Sequence, residues 1–148
     1  KSRLQEFVKD FAKCAVRGIA CDVLDADTGS LLSANYYVDP ALQRLTLRKS
    51  GAGPNQDASL YRELDISQIQ DIYDFDAANQ PDRKLPPAVQ RAVNAEAQKD
   101  RLLVMSFEDN TPAAFLLEGS AVDRDRFIMC MKILRLYAQT HGSAKGGS

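Results

Sequence analysis

The sequence has no tryptophan, and its one histidine, His141, lies near its end. Because histidine is the side chain most often used as a general base near neutral pH, this scarcity argues against acid–base catalysis. The three cysteines, Cys14, Cys21 and Cys130, form an odd set without the spacing of metal ligands, which favours reduced thiols filling the core. We therefore expect no catalytic residue, no cofactor and no metal.

The sequence also has no excess of either charge, since 19 basic and 20 acidic side chains give a net charge of −1. Nucleic-acid binders usually carry a strong basic excess, so we expect no nucleic-acid partner. No apolar run approaches the roughly 18–20 residues of a membrane span, and no signal peptide is visible. The chain begins at Lys1 rather than Met, so we expect any lipidation signal to precede it.

What the sequence does contain is a long amphipathic segment, which predicts a closing helix from Ser120 to Thr140. Ser120 is a good N-cap, Asp123 three residues later suggests a capping box, and Gly142 is a plausible stop. Such a helix must bury its apolar stripe against another layer. The predicted stripe consists of Val122, Phe127, Met131, Leu134 and Ala138, widened by Ile128, Cys130 and Tyr137.

The rest of the chain predicts mostly β structure. A short helix is expected over 3–13 and another that starts with Pro86-Pro87 and continues through Gln98. Strands are predicted over 14–24, 30–38, 41–48, 60–64, within 65–75 after a tight turn, 102–107 and 112–118. These elements predict a seven-stranded antiparallel barrel or sandwich capped by the C-terminal helix. The expected division is an N-terminal helix or extension over 1–13, a domain over 14–140 and a disordered tail over 141–148.

Three segments carry a resemblance: Leu64–Tyr73, Leu102–Phe107 and Asp123–Ile128. In order and spacing the chain resembles a pleckstrin homology (PH) domain over residues 15–139, and the first segment is similar to phospholipase-C-type PH domains. More narrowly, it resembles the inner membrane complex sub-compartment proteins of apicomplexan parasites. That resemblance implies a PH-like scaffold on the cytoplasmic face of a membrane compartment, protein partners, and an anchor of N-terminal acyl chains, myristate and palmitate, outside the sequence.

Phosphoinositide-binding PH domains usually gather basic residues at the end of the first strand and along the second. Here Asp22, Asp25 and Asp27 occupy that region, and no basic residue follows before Arg44. Carboxylates repel a phosphorylated headgroup, so we expect the phosphoinositide site to be lost. The Asp27-Thr28-Gly29 triplet of aspartic proteases appears once without its apolar strand, and a calcium loop would need a different glycine position and a bidentate glutamate. We interpret Asp25 to Gly29 as a turn.

Two surfaces remain as candidates for binding. Arg44, Arg48 and Lys49 form a basic cluster near the third strand, either an ordinary solvated face or a patch attracted to anionic lipid at about 1 kcal/mol per residue. Tyr36 and Tyr37 could contact a partner protein, because tyrosine is common at interfaces, unless one is in the core and the other exposed without a role. The preferred function is a noncatalytic scaffold, and the alternative is a lipid-binding module that uses the basic cluster.

Overall fold

A computed structural model describes the backbone of residues 3–50, 60–78, 85–94, 98–107 and 112–146, and their side chains except at 60, 112–113 and 141–146. The strands are β1 Ile19–Leu24, β2 Leu31–Val38, β3 Arg44–Lys49, β4 Leu60–Asp65, β5 Asp71–Asp74, β6 Leu102–Ser106 and β7 Pro112–Leu117. The helices are α1 Arg3–Arg17, α2 Phe75–Ala78, α3 Pro87–Asn94 and α4 Ala121–Gly146, with short 3-10 helices at Ile66–Gln68 and Lys99–Arg101.

The described strands form one antiparallel sheet in the order β4-β3-β2-β1-β7-β6-β5, so β4 and β5 lie at its edges. This confirms the predicted seven-stranded antiparallel PH-like architecture, with a C-terminal helix, an N-terminal helix and a helix between the fifth and sixth strands. Alternation within the strands sets the two faces of the sheet. In β2, for example, Ala34, Tyr36 and Val38 point into the main core.

Helix α4 packs across the inner face of the sheet and closes the main core. Phe127, Met131, Leu134 and Ala138 are buried as the stripe predicted. The predicted N-cap is also confirmed, because the Ser120 hydroxyl accepts a hydrogen bond from the backbone N–H of Asp123 at 3.1 Å. The helix therefore covers the inner face of the sheet, as its stripe required.

A second core lies on the opposite face of the sheet. Val89 and Val93 of α3 are fully buried there, in one cluster with Val104 of β6 and Phe115 and Leu117 of β7. All five residues of β6 are buried, because this strand is covered on both faces. Its first four residues are all apolar, which is typical of a strand with no solvent-facing side.

The predicted strand over 14–24 is wrong at its start, because α1 continues to Arg17 and β1 begins only at Ile19. Gly18 ends the helix with φ of 108°, and its N–H donates to the carbonyl of Cys14 at 3.0 Å. This is the left-handed helix end that glycine favours. Cys14 is consequently exposed on α1 and is not the core residue predicted, whereas Cys21 and Cys130 are buried.

Other boundaries also differ from the prediction. Val122 is 77% exposed, because five residues at about 100° each place it roughly 140° from Phe127 around the helix. Tyr137, at the edge of the stripe, is also exposed, and α4 continues past Gly142 to Gly146. Helix α2 begins at Phe75, the last residue of the segment 65–75 within which a strand was predicted, and residues 79–84 lie outside the described part of the chain.

Candidate binding surfaces

The turn between β1 and β2 is built by its first carboxylate. One oxygen of Asp25 accepts the backbone N–H groups of Asp27 at 2.8 Å and Thr28 at 3.0 Å, and its carbonyl accepts the N–H of Gly29 at 2.8 Å. The hydrogen bond from Thr28 is the main reason why the pKa of Asp25 lies below its ordinary value, because it stabilises the ionised form. The predicted turn is therefore confirmed.

The other predicted carboxylates have different surroundings. Asp22 lies within β1, where Arg101 approaches it with Nη2 at 3.4 Å from Oδ2. The Nε of the same arginine donates to the carbonyl of Glu118, so the guanidinium bridges the ends of β1 and β7. Asp27 is exposed in the turn. Asp22 and Asp25 thus have structural partners, and the loss of phosphoinositide binding that they suggested stays a prediction.

The same turn is backed by a helix. Gly29 has φ of 77°, and a Cβ atom added there would lie 2.7 Å from the carbonyl oxygen of Ala88 in α3. Only glycine permits both the positive φ and this close approach. The β1–β2 turn is therefore packed against α3, which limits access to it from that side.

The structure separates the two tyrosines. Tyr36 is fully buried, and its hydroxyl donates to Oε2 of Glu118 at 2.5 Å, in agreement with the alternative that places one of the two tyrosines in the core. Alternation along β2 turns the neighbouring Tyr37 to the other face, where it is half-buried and its ring covers Gly18. A partner-binding role for Tyr37 stays a prediction.

The buried Glu118 is a feature that the sequence interpretation missed. Burial is the main cause that raises its pKa, and burial together with this carboxylate raises the pKa of Tyr36 as well. The guanidinium of Arg126 lies 5.5 Å from the centre of the Phe11 ring and favours the ionised glutamate. Alternation could have revealed the group, because Glu118 follows the inward-facing Leu116 by two residues.

The basic cluster near β3 is divided by the strand. Arg44 pairs with Glu63 of the neighbouring β4 at 3.4 Å, with about half of each side chain exposed, so its charge is partly neutralised. Arg44 and Arg48 share one face of β3 by alternation, whereas Lys49 belongs to the next position at the end of the strand. The structure therefore brings two of the three predicted residues onto one face.

A further surface, which we call the α1 groove, runs between α1, α4 and the β2–β3 turn. One part, of about 480 Å³, is lined by Lys9, Ala12, Lys13, Val16, Arg17, Pro40 and Leu42. The adjoining part, of about 420 Å³, is lined by Leu4, Gln5, Val8, Lys9, Leu42, Ile133, Leu134 and Tyr137. The sequence prediction missed this surface because it ended α1 before the last of the basic residues, which recur every four positions.

Within the described ranges, no three histidine, cysteine, aspartate or glutamate side chains lie close enough together to hold a metal ion. No helix in the described part of the chain combines the length and the apolar character needed to cross a membrane.

No family model matches the sequence, and no curated protein matches it. Solved structures do match the fold. Inner Membrane Complex Sub-compartment Protein 1 from Toxoplasma gondii is 16% identical with a TM-score of 0.62, over 92% of this chain and 96% of that one. Sub-compartment Protein 3 from the same organism is 13% identical with a TM-score of 0.58, over 91% and 87%. The PH domain from TgAPH is 9% identical with a TM-score of 0.56, over 93% and 94%. The chain therefore has a PH-like fold similar to that of these proteins.

Proposed function

We propose that this chain is a noncatalytic PH-like scaffold that binds proteins at a membrane-associated structure of the inner membrane complex type and lacks the usual phosphoinositide site. The observation that carries this proposal is the β1–β2 turn. Its carboxylates present negative charge, and Gly29 packs closely against Ala88 of α3. A phosphorylated headgroup would meet repulsion where other PH domains supply converging cations.

The proposed location rests on structural likeness. The two sub-compartment proteins share this fold over nearly the whole chain, and their names place them at an inner membrane complex. We propose the same setting here, on the cytoplasmic face of the membrane, with anchoring by acyl chains attached to a segment preceding Lys1. The partners would then be other proteins of that complex.

A sedimentation assay with vesicles tests the scaffold proposal against lipid binding. We expect the unacylated chain to stay in the supernatant with phosphatidylcholine vesicles, and equally with vesicles that also contain phosphatidylserine or a phosphoinositide. Salt-sensitive binding that is abolished by Arg44→Glu with Arg48→Glu would overturn the scaffold proposal in favour of the basic cluster. The double reversal Lys9→Glu with Lys13→Glu changes the net charge equally and is the matched control.

A further inference from the structure

Exposed apolar side chains line the α1 groove. Leu4 and Val16 of α1 and Tyr137 of α4 are each at least 40% exposed. They lie along the groove with the half-buried Val8 and Leu42. Scattered apolar residues are normal on a protein surface, but a contiguous group along a groove is typical of an interaction site.

The charge of the groove is one-sided. Lys9, Lys13 and Arg17 line it at intervals of four residues, so they lie near one another along α1. None of the described residues that line the groove is acidic, although the chain as a whole carries a net charge of −1. A ligand that fits this surface therefore carries carboxylates beside apolar side chains.

The floor of the groove contains a strained residue. Leu42 lines both parts of the groove and has φ of 61°, a backbone conformation that a leucine rarely adopts. The turn holds it there, because the Asp39 carboxylate accepts the N–H groups of Gln43 at 2.7 Å and Arg44 at 2.8 Å. Backbone strain of this kind is concentrated at functional sites. This backbone conformation places the Leu42 side chain where the two parts of the groove meet.

We propose that the α1 groove binds an acidic amphipathic helix of a partner protein. This inference rests on the proposed role as a protein-binding scaffold and assigns its contact surface. The apolar face of such a helix would lie on Val8, Leu42 and Ile133, and its carboxylates would face Lys9 and Lys13. A concave apolar floor between two helices suits a helix, whereas a flat bilayer would contact the exposed Lys9 and Lys13 without reaching the half-buried floor.

Peptide display with the whole 148-residue chain tests the inference, using a random library of 16-residue peptides as the probe. We expect selected peptides to be rich in acidic residues, with leucine or phenylalanine at helical spacing. Lys9→Glu with Lys13→Glu should weaken their binding at least about tenfold, since hot-spot changes commonly exceed 1.4 kcal/mol. Arg48→Glu with Lys49→Glu reverses the same charge elsewhere and should change affinity less than about twofold.

A substitution at the strained position separates binding from folding. Leu42→Gly removes the side chain while keeping the positive φ, which glycine adopts without strain. Because Leu42 also packs against the main core, the lost packing and the relieved strain act in opposite directions on stability. We expect circular dichroism to show a folded chain whose peptide binding has fallen at least about tenfold, as expected for a central contact. Equal binding by Leu42→Gly and the unchanged chain would overturn the groove assignment.

The remaining outcomes distinguish this inference from the proposed function. Selected peptides that ignore both groove variants would overturn the groove while leaving the scaffold role intact. No selected peptide, together with vesicle binding by the chain, would overturn both. Dimerisation in analytical ultracentrifugation that Leu42→Gly abolishes would overturn the inference by making a second copy of the chain the occupant.

Discussion

Truncation of the Phe127 side chain should clearly lower the free energy of unfolding. Its ring is fully buried and meets Tyr36 edge-to-face at 5.1 Å between centroids and Phe11 at 6.1 Å, so it joins α1, α4 and the sheet. Phe127→Ala leaves a cavity that these rings cannot fill without leaving their own contacts. We expect a loss of about 3–5 kcal/mol in the free energy of unfolding. That is a large part of the about 5–15 kcal/mol available to a domain.

Urea titration followed by far-ultraviolet circular dichroism measures the loss, because the chain has no tryptophan to report on unfolding. Val122→Ala in the same helix is the matched control, since that side chain is 77% exposed and its truncation should change stability by less than about 0.5 kcal/mol. A loss below about 1 kcal/mol for Phe127→Ala would refute its place in the core. Equal losses for the two variants would show that helix formation, not packing, was measured.

Four further predictions follow from the buried groups, the turn and the cysteines. Folding raises the pKa of Glu118. The contribution of this group to stability is therefore full below its unfolded pKa and is lost as the pH rises through its folded pKa. Glu118→Gln should reduce the change in the urea midpoint over that pH range, and an unchanged pH dependence would contradict the raised pKa of Glu118. Tyr36→Phe should cost about 1–3 kcal/mol in urea titrations by leaving that carboxylate without its donor, and a neutral result would contradict the buried pair. Gly29→Ala should lower stability by more than about 1 kcal/mol through its positive φ and the contact with α3, and a rise in midpoint would refute that contact. Ellman's reagent should modify one thiol of the native chain, Cys14, which is exposed. Burial raises the pKa of Cys21 to about 12 and that of Cys130 to about 11, so these two thiols should react slowly. Rapid modification of all three cysteines would contradict this prediction.

Much of the fold was predictable because its signals are local. Alternation located β2 and β3, the N-cap at Ser120 marked the start of α4, and the apolar run 102–105 indicated a buried strand. The end of α1 was not predicted, because the spacing of Val16, Ile19 and Cys21 is also that of a strand. Only the identification of Gly18 as a helix end would have separated α1 from β1. The distinction depends on a backbone angle, and composition does not reveal it.

The candidate site was less predictable, because its parts come together only in the folded chain. The turn chemistry of Asp25 was visible, since its partners lie within three residues. The burial of Tyr36 was left open between two alternatives, because adjacent tyrosines in a strand must point to opposite faces and the sequence did not say which points inward. The α1 groove combines segments near residues 4–17, 40–42 and 133–137, and no local pattern joins them.

The two cores limit where a partner can bind. Helix α3 covers the outer face of β6 and β7, and α4 covers the inner face, so neither face of this half of the sheet remains available. The β1–β2 turn is backed by Ala88, which removes one side of the surface that PH domains use for headgroups. The apolar residues left exposed on α1 and the second half of α4 are therefore the main candidates for contact with a partner. Helices cover both faces at one end of the sheet, and the strained Leu42 lies in the α1 groove, which supports the proposal that this groove binds a protein partner.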